Sequence, residues 1–219
     1  WQHTERGLVP HNEFIPLAQD NGLILSIGQW VLDAACSQLS RWSVKITTRN
    51  LVLSINVSAR QFQQKDFMTD VQTSLDRYEV NPRRLKLELT ESAVINNLEF
   101  AGQQMHMLNK AGVLLSLDDF GTGYSSLAYL KRLPFTDLKI DQSFVRDITM
   151  DANDAAIVRA ILAMSKSLGL DVVAEGVETE AQRAFLLQHD CEFYQGYLFG
   201  RPVPVHEINT MLDEGAILL

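Results

Sequence analysis

LLSLDDF, residues 114–120, is an apolar run that stops on two neighbouring acids, Asp118 and Asp119, and the loop-like stretch GTGYSSL follows at once. Adjacent carboxylates repel, so positive charge or a shared proton has to accompany them. Side chains alternate faces along a strand. The strand predicted here is VLLSLD (113–118): Val113, Leu115 and Leu117 share one of its faces, and Asp118 ends the other.

Working outward, similar short strands are predicted at LVLSIN (51–56), LKLEL (85–89), DLKID (137–141), DVVAE (171–175) and CEFYQ (191–195). Amphipathic helices separate them: Ala101, Met105 and Leu108 follow helical spacing, as do Ile157, Ile161, Met164 and Leu168. Gly112 and Gly169 sit where helices should end, and Asn153 and Thr179 are the expected N-caps of the helices after them. Two further helical stretches, roughly 12–20 and 24–41, precede the first strand. Strand–helix alternation predicts an α/β fold with a parallel sheet. An open doubly wound sheet is disfavoured because no glycine-rich phosphate turn follows the first strand. Six βα units fall short of the eight that close a TIM (β/α)8 barrel. The expectation is a single barrel domain over residues 1–219, lacking its first two strands and belonging to a longer multidomain protein.

The 219 residues are 46% hydrophobic and 21% charged, as in soluble globular proteins, and can build one large core. A net charge of −8 argues against non-specific binding to nucleic acid or to anionic membrane. Cys36 and Cys191 have no metal-type spacing and read as buried thiols in a reducing compartment, so the domain is expected to be cytoplasmic. No apolar run has transmembrane length, and membrane anchoring of the parent protein stays open.

Strand parity carries the functional argument. The apolar face holds Leu51, Leu53, Ile55, Leu85, Leu87, Leu89, Leu138, Ile140, Val172 and Ala174, beside the three residues of the opening strand. The opposite face ends, strand by strand, in Asn56, Glu88, Asp118, Lys139 with Asp141, Glu175 and Gln195. In a parallel barrel those ends point inward and open onto the active-site mouth. Glu88, Asp118, Asp119 and Glu175 are hard anionic oxygen ligands, Asn56 is a neutral one, and such a set suits Mg²⁺ or Mn²⁺. Two cations roughly 3.5–4 Å apart can clamp a phosphoryl group and activate water. Asp118 would bridge them, Asp119 would turn toward one, and the metal charge would make the acidic pair tolerable. Lys139 could pair with Asp141, or orient the attacking water and stabilise phosphate charge.

These residues lie in FIPLA (14–18), NVSARQF (56–62), ELTES (88–92), DDFGTGYSSL (118–127), LKIDQSFV (138–145), AEGVE (174–178) and QGYLFGRP (195–202). With these motifs the chain resembles the EAL domain family, phosphodiesterases of the bacterial second messenger cyclic di-GMP. The resemblance implies a modified (β/α)8 barrel whose first strand is antiparallel to the rest. It implies Asn56, Glu88 and Asp118 as ligands of one metal, with Asp118 reaching a second. Asp119 and Glu175 fall on the second metal's side, Glu175 through water or as general base, and Lys139 contacts the nucleophilic water. Gln195 and Glu178 take supporting positions, and Glu91 anchors the loop after Asp118 and Asp119 that links the site to dimerisation. The family's signature glutamate, a metal ligand, and its phosphate-contacting arginine belong just before Trp1, with WQH resembling the tail of that motif. Gln19 stands where the family usually has an acid.

The implied activity is hydrolysis of cyclic di-GMP to linear pGpG, with Lys139, Glu175 and Asp118 catalytic and two Mg²⁺ or Mn²⁺ ions as cofactors. The implied partners are a second copy of the chain and an upstream sensor or diguanylate cyclase domain, with no DNA or RNA duplex. One alternative is a degenerate receptor that binds the dinucleotide without cleaving it. Another, a metal-dependent barrel enzyme acting on a small carboxylate, fits the chemistry but not the motifs. GTGYSS lacks the third glycine of a phosphate fingerprint, so its glycines serve the loop's turns. His3, His11, His106, His189 and His206 share no ligand spacing. Glu99, Lys110 and Arg183 read as solvated charge, and Trp30 and Trp42 as core or helix-packing residues.

Overall fold

The computed structural model describes residues 1–122 and 127–215. Gly123, Tyr124, Ser125 and Ser126 of the expected loop lie outside the described residues. The chain opens with a small antiparallel ribbon, β1 (Gln2–His3) and β2 (Gly7–Leu8), which the sequence pattern did not announce. The two expected helices follow at His11–Asn21 and Leu23–Ser43.

The sheet has six strands: β3 (Leu53–Val57), β4 (Leu85–Thr90), β5 (Leu114–Phe120), β6 (Asp137–Ile140), β7 (Asp171–Ala174) and β8 (Phe193–Tyr194). They pair in sequential order and all in parallel, the TIM-barrel-like α/β arrangement expected, with β3 and β8 at the two edges. Each strand matches one of the six predicted segments to within about two residues at either end, the usual scatter of such boundaries.

One face of the sheet supplies the core. Leu85, Leu87, Leu89, Leu115, Leu117, Leu138 and Ile140 are fully buried with Leu39, Phe62, Met105, Leu108 and Val158 from the surrounding helices. Helix Leu98–Ala111 ends at Gly112 and helix Ala152–Leu168 at Gly169, both in the left-handed conformation (φ +99° and +70°) that glycine adopts most cheaply. Thr179 caps its helix through a complete capping box with Gln182. Asn153 is not a cap: Asp151 takes that place, its carboxylate accepting from the Asn153 backbone N–H at 2.7 Å. Trp42 is buried and donates its indole N–H to Asn209, whereas Trp30 is 70% exposed and packs no core. Arg84, also buried, donates to the carbonyls of Leu39, Thr48 and Leu51 and so ties the end of the long helix to the approach to β3.

A β-bulge decides the geometry of the site. Leu117 pairs with Leu138, but the next pair is Phe120 with Ile140. Asp118 and Asp119 together therefore face Lys139 alone. Asp119 takes up the extra residue in a left-handed conformation, φ +54°, which short polar side chains tolerate.

Candidate active site

Lys139 is the hub. Its Nζ lies 2.9 Å from Glu88 Oε2, 2.6 Å from Glu175 Oε1 and 3.3 Å from Asp118 Oδ1. Glu88, Asp118 and Lys139 are all buried, and Glu175 is partly so. Each residue reaches this point because its strand ends there: Glu88 late in β4, Asp118 at the bulge of β5, Lys139 near the end of β6 and Glu175 one residue past β7. The backbone N–H of Glu175 still donates to the carbonyl of Ile140, extending the ladder and fixing where its side chain starts.

The electrostatics follow from this arrangement. Burial alone would lower the Lys139 pKa, but the hydrogen bond to Glu175 and the charges of Glu88, Glu175 and Asp118 overcome it and hold the ammonium well above the usual lysine range. Burial pushes the Glu175 carboxyl up, against the pull of Lys139. The Asp119 carboxyl is also raised, first by desolvation, then by the charges of Asp118 and Asp141. Three carboxylates thus share one ammonium, and the positive charge that the adjacent aspartates require comes in this structure from Lys139.

Carboxylate oxygens of Asp118, Asp119 and Glu175 lie within 4.8 Å of one another, close enough to converge on one cation. Asp118 Oδ1 is buried and makes no hydrogen bond. A buried anionic oxygen that accepts no hydrogen bond and meets the Lys139 ammonium at 3.3 Å has room, among these hard donors, for a divalent ion. Asn56 sits on β3 in register with Glu88, its side chain exposed toward the same face.

The other candidates lie around this centre. Asp141 does not pair with Lys139: β6 ends at Ile140, and the Asp141 carboxylate instead caps helix Gln142–Arg146, accepting from the Ser143 backbone and hydroxyl. Gln195 continues β8, its N–H donating to Ala174 and its carbonyl accepting from Val177. Glu178 is exposed and its backbone N–H donates to Gln182. Glu91 is buried at the start of helix Glu91–Ile95, and a cleft of about 460 Å³ lined by Thr90, Glu91, Asp119 and Thr122 adjoins the cluster. A larger cavity, about 760 Å³, lies between helix Ala152–Leu168 and the starts of β7 and β8 and holds none of the candidate residues. The five histidines form no common site among the described residues.

Sequence reasoning passed over a second polar group on the same face: Lys86, Ser116 and Asp137, each two residues before a member of the cluster. The parity that located Glu88, Asp118 and Lys139 also holds for these three, so the signal was present one step further down each strand.

The EAL domain family matches residues 1–202. The chain is 44% identical over 208 residues to the bifunctional diguanylate cyclase/cyclic di-GMP phosphodiesterase MucR of Pseudomonas aeruginosa, covering 95% of this chain and 30% of that protein. It is 42% identical over 212 residues to the cyclic di-GMP phosphodiesterase NbdA of the same organism, covering 97% and 27%. The chain thus spans less than a third of the length of these curated relatives. The solved structure of the PaMucR phosphodiesterase in complex with c-di-GMP superposes with a TM-score of 0.92 at 44% identity, covering 95% of this chain and 84% of that one.

Proposed function

Because the chain belongs to the EAL domain family, we propose that it hydrolyses cyclic di-GMP to linear pGpG. One observation carries the reading: three carboxylates from three different strands converge on a single buried lysine at the C-terminal ends of the sheet. That is the place where barrels of this class keep their chemistry.

In this reading Asn56, Glu88, Asp118, Asp119 and Glu175 hold two divalent cations, Mg²⁺ or Mn²⁺. Their chemistry would be Lewis-acid stabilisation of phosphoryl charge and a lowered pKa for bound water. The chain's own contributions follow from its geometry. Lys139 keeps its proton, so it acts as a fixed cation that orients the attacking water and offsets negative charge developing on phosphorus. Glu175, whose affinity for protons burial has raised, accepts the proton that this water gives up. The water oxygen bonds to phosphorus, the P–O bond to one ribose 3′ oxygen breaks, and that oxygen leaves with a proton as a hydroxyl. One ring opening of this kind converts the cyclic dinucleotide into pGpG. Gln195, Glu178 and Asp141 support the rim, and Glu91 anchors the segment beyond Asp119.

The same reading makes the chain one domain of a longer protein, working as a homodimer and coupled to a sensor or diguanylate cyclase module; the bifunctional character of MucR supports the cyclase pairing. The test is chromatographic. Protein incubated with cyclic di-GMP and Mg²⁺ or Mn²⁺ should yield pGpG, and Asp118→Asn should cut turnover by at least ~100-fold. Dinucleotide binding without product in the parent protein would replace the enzyme with a receptor.

A further inference from the structure

Below the strand-end cluster the inner face carries a second tier of charge. Asp137 is 3% exposed, yet both its oxygens are occupied: Oδ2 by Lys86 Nζ at 2.5 Å and the Thr136 hydroxyl at 2.9 Å, Oδ1 by the Ser116 hydroxyl at 2.5 Å. Lys86 precedes Glu88 by two residues on β4, Ser116 precedes Asp118 on β5, and Asp137 precedes Lys139 on β6. The signs are inverted between tiers, with Lys86 under Glu88 and Asp137 under Lys139.

Stability alone is a poor reason for this arrangement, since a buried ion pair can usually be replaced by apolar side chains of similar volume without loss. Position is a better one. Residues two apart on a strand stand about 6.6 Å apart on the same face. A lysine stem spans that distance, which makes Asp137 a rival carboxylate for the Lys139 ammonium. With both oxygens of Asp137 already engaged, Lys139 extends the other way, to Glu88, Asp118 and Glu175.

We infer that Lys86 and Ser116 are positioning residues of the active site: by engaging Asp137, they commit the Lys139 ammonium to the carboxylates at the barrel mouth. The inference deepens the phosphodiesterase reading and rests on it for its kinetic test. Lys86→Met frees Asp137 to capture Lys139, whereas Lys86→Met/Asp137→Asn removes the rival as well.

Steady-state hydrolysis of cyclic di-GMP should show kcat at least tenfold lower in K86M with KM within twofold of the parent. The double variant should return to within threefold of the parent, although it regains no ion pair. Should K86M fail to fold, Ser116→Ala loosens the same carboxylate and should lower kcat in the same direction, with Asp137→Asn as its rescue. The ¹⁵N resonance of the Lys139 Nζ, assigned through Lys139→Met, gives a second readout independent of turnover. It should move in K86M and return in the double variant. A kcat for K86M within twofold of the parent, or a double variant as slow as K86M, would overturn the inference. Absence of pGpG from the parent protein would instead defeat the phosphodiesterase reading, and the Lys139 resonance would then decide the positioning claim by itself.

Discussion

Replacing Lys139 by Met keeps the length of the side chain and removes its charge. The parent lysine is 6% exposed and faces carboxylate oxygens at 2.6, 2.9 and 3.3 Å. Removing one partner of a buried ion pair typically costs about 3–5 kcal/mol, because the remaining charge is left uncompensated. For a domain of this size each kcal/mol moves the melting temperature by about 2–4 °C, so K139M in EDTA should melt roughly 6–20 °C below the parent. Cations should reverse part of this loss. Lys139 and a divalent cation neutralise the same carboxylates, so K139M should gain more from cations than the parent does. Differential scanning fluorimetry of both proteins, in EDTA and across a Mg²⁺ or Mn²⁺ titration, measures both effects. A K139M melting point within 2 °C of the parent in EDTA would sink the argument that this lysine neutralises the cluster. Equal cation-induced shifts in the two proteins would show that cations bind elsewhere.

Two further predictions concern the scaffold. A Cβ added at Gly196 would stand 2.1 Å from the carbonyl oxygen of Val177 and 2.3 Å from its nitrogen, atoms that belong to backbone and cannot swing aside. Gly196→Ala should therefore destabilise the domain by about 1–3 kcal/mol, visible as a lower denaturant midpoint, and an unchanged midpoint would place that backbone differently. The Cys36 thiol is fully buried, and burial, followed by the Asp33 charge, pushes its pKa up to about 11. A raised native pKa leaves stability intact below the unfolded value near 8.5 and erodes it as pH climbs from there toward 11, by at most about 3 kcal/mol. Urea melts between pH 8 and 11 should show that loss, flattened in Cys36→Ala; equal slopes in the two proteins would refute it.

The fold was legible because burial imposes parity. Leu85, Leu87 and Leu89, like Val113, Leu115 and Leu117, can all reach the core only if each run is a strand, and the polar residues between them then have one face to share. The same alternation sets Glu88, Asp118 and Lys139 on one face in the sequence itself, and the structure brings them together. Parity fails where the backbone leaves strand geometry. Asp141 has the parity of Lys139, but the strand stops one residue before it and a new helix claims its carboxylate as a cap. The cap at Asp151 rather than Asn153 is a shift of two residues between similar side chains, beyond what local composition resolves. Trp30 follows a helical pattern yet lies outside the packed stripe. The three carbonyls held by Arg84 come from residues 33 to 45 positions away, and no local pattern announces such a partner set.

The bulge at Asp118 and Asp119 has a bearing on protein design. Deleting one of the two residues would restore an even ladder between β5 and β6 and relieve a left-handed non-glycine residue, both changes that idealised backbones favour. It would also leave one carboxylate where the natural chain presents two. At this point on the sheet, regularity and acidity are alternatives, and a redesign scored only on backbone quality would erase the irregularity that sets two acids before one lysine.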